Sequence, residues 1–568
     1  MENNRTLMYV ILGGLVGLCV LALAALVIFG GVALLNRGEE SSTVVATTET
    51  DQGTTTEGTS SGSSATASSN SLRLLGGEPP TLDPALASDA TSANYIVELF
   101  SGLVTLDENV EIVPDIAADW RVSDDGLTYT FTLRDDVTFA DGSAVTAEDF
   151  KYTIERACDP ATLSPVADTY LGDIVGCKEK LGQAAGEVSG VRVIDPQTLE
   201  ITIDAPKVYF LAKLTYPTAF VVDQAAVQAG GNLWATTNPN GSGPFRLDEY
   251  RFGERLVLAP NENYYGDPKP SLDRVTYILS GGSGMTMYET DEVDVVGVGL
   301  GDIDRVLDPS NPLNADLREV SEFSIGYIGL NANQPPFDDP QVRQAFNLAI
   351  DKEALVTAVL NDTVVPAYGI IPPGMPGHDP NIEGLRFNAE EAQRLLAESS
   401  YGGAENLPDI TLHVSGAGGA AGPQIEAIVE MWKRNLAVDV AIEQTEWATF
   451  LTDIDRRPNP YQAFSIGWIA DYPDPENFLD LLFHCDSLGN RTGYCNAEVD
   501  ALLEEARVEQ DNDARMALYD QAQQLIVQDA AWVPLWFNKG YVLVKPYVQD
   551  YRFPPTIVPT LKYVKLAQ

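Results

Sequence analysis

Residues 467–478 read Gly-Trp-Ile-Ala-Asp-Tyr-Pro-Asp-Pro-Glu-Asn-Phe, which sets the acid Asp471 among Trp468 and Tyr472. A carboxylate walled by aromatic rings is costly to bury unless a cation or strong donors meet it. Two readings fit. Asp-Tyr-Pro-Asp-Pro is rich in turn formers, so Asp471 could be a turn acid at the surface and Trp468 a core residue. Alternatively, Asp471 is the counter-ion for a positive charge that arrives with a ligand. Catalytic chemistry finds little support. The histidines are His378 among Pro-rich turns, His413 in a strand-like Thr-Leu-His-Val and His484 beside Cys485. None has the His-x3-His or His-Glu-x2-His spacing of a zinc hydrolase. No Gly-x-Ser-x-Gly elbow occurs, because Gly241-Ser242-Gly243 runs into Pro244. The Gly-rich run at 415–424 lacks the Lys-Ser/Thr of a phosphate loop and reads as a connection. With 82 acidic residues, chance acid pairs carry no weight. The expectation is a protein without enzyme activity, metal or cofactor.

The elements that would position such a site alternate in type. Thr128 to Arg134, Thr198 to Ile203 and Arg274 to Leu279 alternate apolar with polar residues, as half-buried strands do. Helix starts are marked by caps: Thr146 with Asp149, Asp339 before Pro340, and Asn388 with Glu391. From Pro340 one helix is expected through Leu360, with Val342, Ala345, Phe346, Ala349 and Ile350 as its apolar stripe. A last long helix is expected through 514–530. The pattern predicts α/β architecture, and 568 residues predict at least two lobes.

Residues 7–35 carry no charge and exceed the roughly 20 residues needed to cross a bilayer. We read residues 1–37 as an uncleaved membrane anchor, the alternative being a cleaved leader. Arg5 favours a cytoplasmic start and Arg37 weakens that signal. Either reading puts the body outside the cytoplasm. Residues 38–71 form a Ser/Thr/Gly tract suited to a tether. A formal net charge of -47 argues against nucleic acid as a partner. Besides Cys19 the chain has Cys158, Cys177, Cys485 and Cys495. Three pairings are possible, and proximity favours Cys158–Cys177 with Cys485–Cys495 in an oxidising compartment.

Several segments, in order, carry a family likeness: 72–157, Gly241 to Gly266, Tyr327 to Leu355, the 467–478 stretch, Gly493 to Arg507 and Trp532 to Phe537. The chain resembles the family-5 extracytoplasmic solute-binding proteins of peptide and nickel ABC transporters. The resemblance covers nearly everything from Leu72 onward. It implies an α/β, two-lobed clamp of the class II periplasmic-binding-protein type, with an extra inserted subdomain, preceded here by one transmembrane helix. The implied division is lobe I at about 72–108, 195–323 and 526–568, the insertion at about 109–194, and lobe II at about 324–525. Hinge crossings are expected near Phe323 to Leu330 and near Leu525.

In oligopeptide-binding members, an Asp in a Trp-x-Ala-Asp-Tyr segment pairs with the peptide's α-amino group. The resemblance carries that role to Asp471, with Trp468 and Tyr472 as aromatic walls. Tyr327 and the Ser88-Asp89-Ala90 segment align with cleft-lining positions. Two departures stand out. Ile469 and Ser324 replace a pair of bridged cysteines, and Ser465 replaces an Arg six residues before the Asp. The implied function is capture of di- or oligopeptides for delivery to ABC permease subunits by a membrane-anchored monomer. Sugars, opines and nickel chelates are ligand alternatives, and an anchored sensor or chaperone is the alternative class.

Overall fold

The computed structural model describes residues 70–416 and 418–567. The anchor expected over 1–37, and the tether as far as residue 69, lie outside the described residues. Among those described, no helix is long and apolar enough to cross a membrane.

Local structure follows the sequence patterns closely. In the strand Thr128–Leu133 the alternation buries Tyr129, Phe131 and Leu133. Helix Ala147–Ala157 begins at Thr146, whose backbone N–H donates to Asp149 Oδ2 at 2.8 Å. The segment read as one helix from Pro340 is two helices, Pro340–Leu348 and Lys352–Ala358. Asp351 lies between them and caps the second, its Oδ1 accepting the Ala354 N–H at 3.0 Å. That local bond competes with continuation of the first helix.

An 11-stranded mixed sheet runs through the body. Its centre is a pair of long antiparallel strands, Leu317–Leu330 and Trp532–Val544. On one side follow Ala463–Ile469, Ile410–Ser415 and Val440–Thr445. On the other follow Val295–Gly297, Ser71–Leu75, Arg274–Ile278, Arg255–Pro260 and Phe245–Arg251, and the eleventh strand, Val365–Pro366, pairs with residues 536–537 off this path. A separate 4-stranded antiparallel sheet holds Ala117–Val122, Thr128–Leu133, Thr198–Thr202 and Val191–Asp195.

The long strands pass from one core to another. Leu317 and Leu543 pack with Met285 and Tyr288, whereas Phe323 and Phe537 pack with Phe464 and Tyr519. The chain therefore changes core between 317 and 323 and returns between 537 and 543. Register shifts between Ser321/Ile325 and Gly326/Tyr327 mark the same stretch. This corrects the second crossing, expected near Leu525. Leu525 sits inside helix Asn512–Gln528 against the Phe464 core. The first half of the closing strand then stays in that layer, because its residues 532–537 pair with 325–329. Val191–Asp195 and Thr198–Thr202 are the two arms of one antiparallel pair, which the expected boundary at about 194 would divide.

Two disulfides close short loops, Cys158–Cys177 with a separation of 19 residues and Cys485–Cys495 with a separation of 10. Bridges of this loop size stabilise by about 3 kcal/mol each in the chain-entropy picture. Replacing Cys485 and Cys495 together by Ser should lower the urea-unfolding free energy by about that amount. Peptide mapping under non-reducing conditions should recover both bridges, and any other pairing would refute the assignment.

Candidate ligand-binding site

Strand Ala463–Ile469 brings the aromatic–acid segment to the middle of the body. On one side it pairs with Leu317–Leu330 along its length, from Leu330↔Ala463 to Ser324↔Ile469. On the other it meets Ile410–Ser415 only through residues 463–465. Among the described residues, 466–469 therefore have no strand partner on that side. This backbone edge lines a cavity whose remaining wall includes Ser88, Asp89 and Ala90, Thr215 to Pro217, Trp447, Asp471 and Arg491. The wall thus draws on segments distant in sequence, and the start of helix Ala90–Leu99 contributes one of them.

Asp471 is half-buried at the end of that edge. Its Oδ2 accepts the Tyr170 hydroxyl at 2.5 Å and Asn477 Nδ2 at 2.9 Å. Both donors are neutral. Burial pushes the Asp471 carboxyl up to about 6, against these two hydrogen bonds and the Arg491 guanidinium. Tyr170 remains a donor, since burial and then Asp471 hold its hydroxyl well above the usual phenol range. Its ring stacks on Tyr216 with centroids 3.8 Å apart.

Asn477 organises the segment from within. Its Oδ1 accepts the Asp471 N–H at 3.0 Å and Trp468 Nε1 at 3.2 Å, while its amide reaches the Asp471 carboxylate. The Asp-Pro turn is pinned beside it. Asp474 caps Pro475–Asn477 through the Glu476 N–H at 3.0 Å and takes both arms of Arg515 at 3.0 and 2.9 Å. Glu476 meets Lys213 at 3.3 Å, and Lys213 also holds Asp173 at 3.0 Å. The turn formers are thus a buried scaffold, not a surface loop.

Arg491 is the cation on the cavity wall. Its Nε donates to Asp455 Oδ1 at 2.8 Å. Burial lowers its pKa, but Asp455 and the Tyr327 hydroxyl more than offset this and keep it charged. The Cys485–Cys495 loop carries it.

Of the residues singled out in the sequence, Asp471, Trp468, Asp89 and Ala90 line one cavity. Tyr327 and Tyr472 do not. Tyr327 is 1% exposed, stacked on Trp532 at 3.4 Å behind the wall, where it serves Arg491. Tyr472 is wholly buried with the core that contains Phe131 and Phe150, and its hydroxyl donates to Glu476. Tyr170, Tyr216, Arg491 and Asn477 were not singled out. Asn477 lies within the opening segment, but the other three sit in stretches with no distinguishing local pattern.

The profile of the bacterial extracellular solute-binding proteins, family 5, matches residues 111–490. The chain belongs to that family. This family-5 chain is 32% identical over 489 residues to the periplasmic oligopeptide-binding protein OppA of Escherichia coli, covering 84% of this chain and 88% of that one. It is 30% identical over 487 residues to the probable deoxycholate-binding periplasmic protein YgiS of the same organism, covering 83% and 88%. Among solved structures, the E. coli murein tripeptide binding protein MppA superposes with a TM-score of 0.80 at 28% identity, covering 88% and 98%. The unliganded open form of MppA superposes with a TM-score of 0.63, covering 88% and 97%.

Replacing Asn477 by Ala would leave the Asp471 N–H and the Trp468 indole without their acceptor. The expected cost is roughly 1–3 kcal/mol of unfolding free energy, read by urea denaturation. A change within a few tenths of a kcal/mol would show that Asn477 does not organise the segment.

Proposed function

We propose that this family-5 protein is the extracytoplasmic substrate-binding component of an ABC importer, and that it captures peptides through a free amino terminus. The observation that carries this reading is the unpaired edge at 466–469 ending on Asp471. An extended peptide can add to that edge as a further strand, so affinity comes from backbone hydrogen bonds and side chains stay weakly specified. Its α-ammonium then meets a carboxylate that the protein supplies only with neutral donors. Relatives that bind oligopeptides and a murein tripeptide agree with this chemistry. A carboxylate ligand such as a bile acid would instead face Asp471 and Asp89.

On this reading the body is two lobes joined by the two long strands, and the change of core at 317–323 and 537–543 supports crossings there. The poorer fit to the open form of MppA supports a closed arrangement of the lobes around the site. Closure about the paired strands would report occupancy to membrane permease subunits, a hinge motion of a known kind. Residues 1–37 would hold the protein, as a monomer, at the outer face of the membrane.

Titration calorimetry of the full-length protein with trialanine and N-acetyl-trialanine tests the reading. Acetylation removes the cation and leaves the backbone, and should weaken binding by about 100-fold or more. Equal affinity for the two peptides would contradict the role of Asp471.

A further inference from the structure

The cavity wall carries two carboxylates, Asp471 and Asp89, and one guanidinium, Arg491. Asp471 has only neutral donors, from Tyr170 and Asn477. Arg491, the cation on the same wall, is engaged by Asp455 at 2.8 Å. Asp89 is the second carboxylate on the wall. It is 8% exposed, and its Oδ1 caps helix Ala90–Leu99 through the Ser92 N–H at 3.1 Å. Its Oδ2 is buried and has no hydrogen-bond donor from the protein. An Asp cap is ordinary and its charge suits the helix N-terminus. The second oxygen, buried with no donor from the protein, is what the cap does not explain.

With Arg491 hydrogen-bonded to Asp455, neither acid on the wall has a charged hydrogen-bond donor from the protein, and the α-ammonium bound at Asp471 accounts for one. We propose that Asp89 is a specificity-determining acceptor for a second cationic group, and that the cleft prefers peptides with a basic side chain close to the free amino terminus. A neutral peptide leaves Asp89 shut away from solvent without a partner. An acidic side chain in that place adds like-charge repulsion, so the same residue both attracts and rejects. This inference rests on the peptide reading above and names the ligand's charge.

The test measures dissociation constants of the full-length protein for Lys-Ala-Ala, Ala-Lys-Ala, Ala-Ala-Ala and Glu-Ala-Ala by calorimetry. The better of the two lysine peptides should bind about tenfold or more tighter than Ala-Ala-Ala, and Glu-Ala-Ala should bind weakest. In Asp89→Asn, which keeps a capping side chain, the lysine-to-alanine ratio should fall to between about one and three. The ratio is read within each protein, so a general loss of affinity does not disturb it. A wild-type ratio near one, or an undiminished ratio in Asp89→Asn, overturns the proposal while the peptide reading stands. If none of the four peptides binds, the peptide reading falls and this inference falls with it.

Discussion

The site depends on a carboxylate held in place but not neutralised. Asp471 accepts from a phenol and an amide, and burial lifts its pKa to about 6. Two neutral hydrogen bonds fix its direction without removing its charge, so the electrostatic cost of enclosing it persists until a cation arrives. A protein that bound nothing there would gain by replacing Asp471 with Asn. The surrounding charges tell the opposite story, because they are paired internally: Asp474 with Arg515, Asp173 and Glu476 with Lys213, and Asp455 with Arg491.

That contrast explains how the sheet and the site belong together. The strand bearing the segment is held on one side by the long strand Leu317–Leu330, which itself carries the crossing between cores. Its other side loses its partner after residue 465, where the cavity begins. Tyr170, which contacts Asp471, and Asp89, which lines the same cavity, come from elements far away in the chain, so the site is complete only with those elements beside the segment. On the proposed reading, a closed arrangement assembles the site, and a ligand cation in turn would favour that arrangement by relieving the buried charge.

Much of this was legible in the residues, for particular reasons. The strand at 128–133 and the caps at Thr146 and Asn388 are local signals, and local physics suffices to read them. The break at Asp351 was missed because an apolar stripe continued across it, while the side chain took a backbone N–H instead. The crossing near 540 was missed because a strand shared by two cores looks, in sequence, like any other strand. Within the site, the Trp-Ile-Ala-Asp segment was conspicuous. Tyr472 stands beside Asp471 in the sequence and Tyr327 rests on family alignment alone, whereas both rings fill cores and use their hydroxyls behind the wall. Arg491, Tyr170 and Tyr216 became recognisable only through contacts between segments remote in sequence.

The central claim is that enclosing Asp471 without a ligand costs free energy through its charge. A raised carboxyl pKa has a definite sign. With about 6 in the enclosed state against an ordinary value near 4, the advantage of the closed form is complete below pH 4. It is lost as pH rises through 6. The direct measurement is the distance distribution between two spin labels set on either side of the cleft, in ligand-free protein from pH 4 to pH 7.5. The account predicts that the short-distance, closed population falls across that range in the wild-type protein and stays high and level in Asp471→Asn. Identical populations in the two proteins at every pH would contradict it.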